Sequence, residues 1–205
     1  MPDHNLFTLA QQLVEIGRYC HRRGWVPATS GSFSARLDDE RVAVTCSGRH
    51  KGQLVVNDII EVDLDGRALE PGRRPSDETP LHTSLYRRDP TIAAVLHVHG
   101  MHGVVLSRLT SGQVSLEGWE VLKALEGINS HESQCHIPVF PNSQDIPALA
   151  RQVEAALAAG RGRHGYLIAG HGLCCWGASI AEALRHVEAL EYLFECELLM
   201  KRAAQ

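Results

Sequence analysis

Residues 91–97, Thr-Ile-Ala-Ala-Val-Leu-His, form a nearly continuous apolar run that follows the proline stop at Asp89-Pro90 and ends just before Gly100. Its length is that of a strand, and its lack of polar alternation predicts a strand buried inside the protein. The segments around it must cover it. Upstream, Leu6, Leu9, Leu13, Ile16, Gly17 and Cys20 recur every three or four residues, one stripe of a helix over 6–23 that Gly24 stops. Residues 34–37 and 41–45 flank an acidic turn at Asp38-Asp39-Glu40 and read as a hairpin, as do 59–63 and 67–70 about Asp65-Gly66. Ser76 and Asp77 can cap a helix with Glu78 and Pro80 in its first turn, running to Asp89. Downstream, helices are expected near 101–108 and 117–126, the second carrying Trp119, Val121, Leu122 and Leu125, with a loop over 129–135. Asp145 caps a helix over 146–159, residues 166–169 and 173–176 read as strands around Gly170-His171-Gly172, and Ser179 caps a long last helix. Hairpin strands followed by interleaved helices and strands fit an α/β fold in three layers, with helices on both sides of a central, mostly antiparallel or mixed sheet. With no repeat and no linker in 205 residues, a single domain over 1–205 is expected.

Composition narrows the function classes. Hydrophobic residues are 44% and charged residues 21% of the chain, enough for a sizeable core. The formal charge is -4 and the basic residues are scattered, which argues against a nucleic-acid or anionic-membrane partner. No segment approaches the roughly 20 apolar residues of a membrane span, and the polar opening Met1-Pro2-Asp3-His4-Asn5 lacks a leader pattern, so a cytoplasmic protein is expected. Six cysteines without a C-x-x-C pair read as buried, reduced thiols rather than as a disulfide scaffold or a thiolate zinc knuckle. The glycine fingerprints of dinucleotide and P-loop sites and the G-x-S-x-G elbow of hydrolases are all missing.

The chemistry-bearing residues collect at strand ends. His97 and His99 are two apart where the buried strand finishes, so their imidazoles project to one side, half of a metal site. His171, flanked by glycines just after another strand, is the third ligand of choice. Three histidines leave a fourth position open, as in a catalytic zinc site, and Glu78 can fill it or act as a base. Thr29-Ser30-Gly31-Ser32, Thr45-Cys46-Ser47-Gly48 and Pro75-Ser76-Asp77 are rich in small donors, and turns of this kind present N–H and hydroxyl groups to an anion such as phosphate. Arg49 and Lys51 lie close enough in sequence to help hold it or to be plain surface, Cys46 is given no role, and His82 and Tyr86, at i+4 steps from Glu78, are read first as core or surface.

The order of a T-S-G-S loop, an S-G turn, an S-D-E-T-P-L-H helix start, H-V-H-G and G-H-G-L resembles the class II aldolase/epimerase (adducin-like) family over nearly the whole chain. The resemblance implies one zinc ion per subunit on His97, His99 and His171. It implies a sugar phosphate held by Ser30, Gly31, Ser32, Ser47, Gly48, Ser76 and Asp77, with Ser32 standing where many members carry asparagine. It also implies a homotetramer with the zinc sites at subunit interfaces. Within the family, Trp119-Glu120-Val121-Leu122-Lys123 and Glu191-Tyr192-Leu193-Phe194 are most similar to the branch that dehydrates a methylthio-pentulose phosphate in methionine salvage. On that resemblance Glu120 is the acid/base. Two alternatives stay open: a sugar-phosphate aldolase or 4-epimerase working through Glu78, and a non-catalytic interaction module.

Overall fold

The apolar run becomes a central strand. A computed structural model describes residues 5–204, so the opening stretch read above for a leader pattern lies outside the described residues except for Asn5. In chain order the elements are α1 (Leu6–Arg22), β1 (Ser32–Arg36), β2 (Arg41–Thr45), β3 (Ile59–Asp63), α2 (Thr79–Arg88), β4 (Ala94–Val98) and α3 (Met101–Leu109). They continue with β5 (Gln113–Leu116), β6 (Cys135–Phe140), α4 (Ile146–Ala158), β7 (Gly165–Ile168), β8 (Gly172–Gly177) and α5 (Ile180–Ala203). Short 3-10 helices occupy Lys51–Gln53, Val56–Asp58 and Glu120–Ala124.

All eight strands join one sheet in the order β3-β2-β1-β4-β8-β7-β6-β5. Neighbours are antiparallel except β6 and β7, so the sheet is mixed and mostly antiparallel, as the element order predicts. Every residue of β4 is buried, because strand alternation sends its side chains into two different cores. Ala94, Leu96 and Val98 pack with α1, α3 and α5 through Leu13, Leu106, Leu190 and Phe194. Val95 packs on the opposite face with Leu81, Leu85 and Tyr86 of α2 and Leu149 and Val153 of α4. Three layers result, with the sheet in the middle. Among the described residues no helix is long and apolar enough to cross a membrane.

The helix boundaries follow local chemistry. Ala148 N–H donates to the Asp145 carboxylate at 2.9 Å and Glu182 N–H to Ser179 Oγ at 3.0 Å, so α4 and α5 start where their caps predict. Four expectations need correction. The helix α2 begins only at Thr79, with Glu78 at its N-cap position and no side-chain cap bond, so Ser76 and Asp77 precede the helix rather than cap it. Residues 117–126 form no α-helix but a 3-10 helix over 120–124, held by Leu122 N–H to Trp119 O and Leu125 N–H to Leu122 O. Apolar Trp119, Leu122 and Leu125 recur every three residues, the 3-10 period, which over so short a segment is hard to tell from the α period. Residues 67–70 do not form a full strand, since only Ala68 bridges to Val62. β5 and β6 form where the sequence predicts no strand, β6 beginning at Cys135 where a loop is expected; β5 spans only four residues, and Pro138 inside β6 reads as a breaker.

Replacing Ser179 by Ala removes the hydroxyl that satisfies the Glu182 amide at the start of α5. A loss of about 1 kcal/mol is expected in denaturant unfolding; an unchanged midpoint would mean that α5 is held by packing alone.

Candidate metal and substrate site

Four side chains from three parts of the fold converge at the end of β4. His97 points to the α2/α4 side of the sheet, the side that Val95 also faces. His99 lies one residue beyond the strand, and its N–H donates to Trp25 O at 2.7 Å. The register His97↔Cys174 and Val98↔Leu173 brings the β7–β8 turn alongside, and His171 sits in that turn after Gly170 at φ 66°. Glu78 stands at the start of α2, placed there because Ser76 N–H donates to Thr45 O at 3.0 Å and ties the segment to the end of β2.

One ligand atom from each of Glu78, His97, His99 and His171 lies within 4.8 Å of every other. Glu78 Oε1 is 2.8 Å from His171 Nε2 and 3.2 Å from His97 Nε2, while His97 Nε2 is 2.8 Å from His99 Nε2. Ligands about 2.0–2.1 Å from one tetrahedral ion stand roughly 3.3 Å apart, so the cluster has the size and the nitrogen–oxygen chemistry of a single metal site. Outer partners orient the rings: His97 Nδ1 lies 3.1 Å from Leu173 O, and His171 Nδ1 lies 3.2 Å from Asn142 Oδ1. A donor hydrogen on each Nδ1 leaves each Nε2 lone pair aimed into the cluster. Burial, reinforced by His97 and His171, pulls His99 down to about 3, the neutral form that binds metal. Burial opposes ionisation of Glu78, but the His97 and His171 imidazoles outweigh it and hold the carboxyl far below the usual carboxylate range.

Behind Glu78 runs a buried polar chain. Ser32 Oγ donates to Glu78 Oε2 at 3.1 Å and lies 2.9 Å from His82 Nε2. Ser34 Oγ then joins His82 Nδ1 at 2.7 Å to the Tyr86 hydroxyl at 2.8 Å. Residues 32 and 34 share one face of β1, and 78, 82 and 86 share one face of α2, so the two periodicities mesh. His82 and Tyr86 are therefore core, and burial pulls His82 down to about 3.

A cavity of about 480 Å³ opens beside the cluster, with Glu78, His99 and His171 on its wall. Ser30, Gly31, Ser47, Gly48, Ser76 and Asp77 also line it, so six of the seven residues expected around phosphate come together. Gly31, at φ 81°, admits no side chain: a Cβ would stand 2.7 Å from Val26 Cγ1 and 2.8 Å from His97 O. Ser32 is the exception, being fully buried and engaged with Glu78. Glu120 does not line the cavity; its side chain is 69% exposed and pairs with Lys123. Asn142 was missed, because nothing in sequence spacing ties a loop after β6 to the β7–β8 turn.

The class II aldolase and adducin N-terminal domain pattern matches residues 11–198. The chain belongs to that family. A methylthioribulose-1-phosphate dehydratase of Methylococcus capsulatus is 57% identical over 200 residues, covering 98% of each chain. The dehydratase of the same name from Pseudomonas aeruginosa is 52% identical and covers 96% of each. Among solved structures, YgbL of Escherichia coli superposes with a TM-score of 0.81 at 26% identity, over 95% of this chain and 90% of that one.

The segment after His99 carries a second constraint. Glu191 of α5 is 1% exposed with neither carboxylate oxygen hydrogen-bonded, and it fills the space where Gly100 and Gly103 have no side chain. A Cβ on Gly100 would stand 2.2 Å from the carboxylate. Burial pushes the Glu191 carboxyl up to about 7, opposed by the Gly103 amide, which lies near but outside hydrogen-bond geometry. A carboxyl whose pKa is raised on folding stabilises the fold below its unfolded value of about 4.3, and that contribution is lost as pH rises to about 7. Glu191→Gln is therefore expected to gain up to about 3 kcal/mol over the parent above pH 7 and nothing below pH 4; a pH-independent difference in unfolding free energy would contradict this. Gly100→Ala is expected to lower metal affinity at least about tenfold by shifting the backbone next to His99, and adding Glu191→Ala is expected to restore it. Metal titration by calorimetry separates the two variants, and unaltered affinity in Gly100→Ala would show that the segment has slack.

Proposed function

We propose that this protein is a zinc-dependent hydro-lyase that converts 5-methylthioribulose 1-phosphate to 2,3-diketo-5-methylthiopentyl 1-phosphate and water, a step of methionine salvage. The observation that carries the reading is the 57% identity, end to end, to a protein bearing the dehydratase name. The converged Glu78, His97, His99 and His171 cluster supports it from the side of geometry. The aldolase, epimerase and interaction-module readings have no comparable support.

Zinc held by His97, His99 and His171, with Glu78 beside them, would supply Lewis acidity toward the carbonyl and hydroxyl oxygens of the sugar. The remaining tasks fall to side chains and backbone. Ser30, Ser47 and Ser76, with the amides of their turns, receive the phosphate on C1. Glu120 takes the proton from C3 and returns one to the C4 hydroxyl as it departs as water, leaving an enol that rearranges to the second ketone. Ser32, itself held by His82, donates to Glu78 Oε2 and orients that carboxylate.

Glu120 faces solvent and lies off the cavity of its own chain, so its part in the reaction is read as delivered to a neighbouring copy. The exposed apolar residues Met101, Val105 and Leu109, four residues apart along α3 directly after the donor histidines, support an assembly interface there. A homotetramer with shared sites fits this arrangement. The six free cysteines suit the reducing cytoplasm.

The zinc-loaded protein is expected to form diketone from methylthioribulose 1-phosphate and no aldehyde from fuculose 1-phosphate; aldehyde release would transfer the reading to an aldolase. Glu120→Gln is expected to keep zinc and lose turnover, and His99→Ala to lose both. Mixed oligomers reassembled from the two inactive variants should regain part of the activity, up to roughly a quarter of native sites if the two residues come from different subunits. No recovery on mixing would place both residues in one subunit's site.

A further inference from the structure

The cavity wall carries a buried cation that, among the described residues, is in ion-pair contact with no carboxylate. Lys51, in the 3-10 helix between β2 and β3, is 2% exposed yet lies on the cavity lining. Its Nζ donates to Thr29 O at 2.8 Å and to Arg49 O at 2.8 Å, joining the turn that carries Ser30 and Gly31 to the turn that carries Ser47 and Gly48. An ammonium has three N–H bonds, so one is left over. Among the described residues no carboxylate lies within the 4.0 Å of an ion pair. The arginines near the same turns differ, since Arg49 pairs with Asp58, Arg73 with Glu70 and Arg74 with Asp77.

Burying an unpaired ammonium is costly, and burial pulls Lys51 down to about 8 while Glu78 opposes the shift. The residue type is itself unusual here: the chain has three lysines against seventeen arginines, and the other two, Lys123 and Lys201, are exposed. Its platform is also rigid. A Cβ on Gly17 of α1 would meet Lys51 O at 2.4 Å, and one on Gly52 would meet the His21 ring at 2.5 Å, so the 3-10 turn is pressed onto α1. Meanwhile Asp77 and Glu78 place negative charge on the cavity wall and would repel a dianion.

We propose that Lys51 is the counter-ion for the phosphoryl group of the substrate, donating its remaining N–H to a phosphate oxygen seated among the Ser30-Gly31, Ser47-Gly48 and Ser76 turns. The inference deepens the dehydratase reading and rests on it for the phosphate being that of a sugar. Lys51 then does two things at once: it holds two phosphate-facing turns in register, and it favours phosphorylated over free sugars.

The test uses the zinc-loaded protein and inorganic phosphate as probe. Melting is followed in sodium phosphate and in sodium chloride at matched ionic strength for the parent, Lys51→Met and Lys51→Gln. Phosphate is expected to raise the parent's melting temperature by several degrees and to leave both variants nearly unmoved. With the phosphorylated sugar, Lys51→Met is expected to raise KM ten- to a hundredfold while kcat stays within threefold. The chloride melts report whether a variant folds, and Lys51→Gln keeps a donor for the Thr29 carbonyl should Lys51→Met fail. A phosphate shift of equal size in the parent and a folded variant, or none in the parent, overturns the proposal. Failure of the dehydratase reading looks different: the parent would not turn over the sugar, yet its phosphate shift would still depend on Lys51.

Discussion

The structure depends on burying one carboxylate against three imidazoles at the open end of a sheet. Ionisable groups are stable in such a place only when each is answered by another, and the answer here comes from elements far apart in sequence. Glu78 enters from the start of α2, His97 from β4, His99 from just beyond its end, and His171 from the turn between β7 and β8. Their meeting requires the antiparallel register of β4 with β8, because a slip of one residue would turn His97 into the opposite core. That register is in turn fixed by the two cores, whose contents alternate along β4. Packing and site geometry are thus one constraint.

The outer partners extend the same logic. Leu173 O and Asn142 fix the histidine rings, and Ser32 with His82 fixes the carboxylate. The Ser32–His82–Ser34–Tyr86 chain lets hydroxyls and a neutral imidazole lie fully buried, since each has a hydrogen-bond partner. Glu191 is the contrast. It has no such partner, and the bare backbone of Gly100 and Gly103 is what makes room for it.

Much of this was legible in the sequence where one short-range pattern decides the outcome. The apolar run at 91–97 gave a buried strand, two residues' spacing gave the paired histidines, and Asp145 and Ser179 marked helix starts. What escaped depends on tertiary context. Residues 119–125 carry an apolar period of three that an α-helix expectation absorbs, and β5 and β6 are short, one of them with an internal proline. Ser32 illustrates the limit within the site: its place in a small-residue loop suggests an anion contact, but its position as the first residue of β1 aims the hydroxyl at Glu78 instead.

The different demands of a metal and an anion explain why the two halves of the proposed site use different residues. The paired candidate donors His97 and His99 need a common direction, and β4 supplies it because side chains alternate rigidly along a paired backbone, while His171 and Glu78 are brought to them by a turn and a helix start. An anion-receiving surface needs backbone amides brought close, which left-handed glycines such as Gly31 at φ 81° and Gly48 at φ 72° permit. Turns of that kind are soft on their own. A long side chain that reaches from a packed 3-10 helix to the carbonyls of two such turns stiffens both, and an ammonium does so with one donor to spare, whereas a planar guanidinium would spread its donors over a wider fork. The preference for lysine at position 51, in a chain that otherwise favours arginine, follows from that geometry.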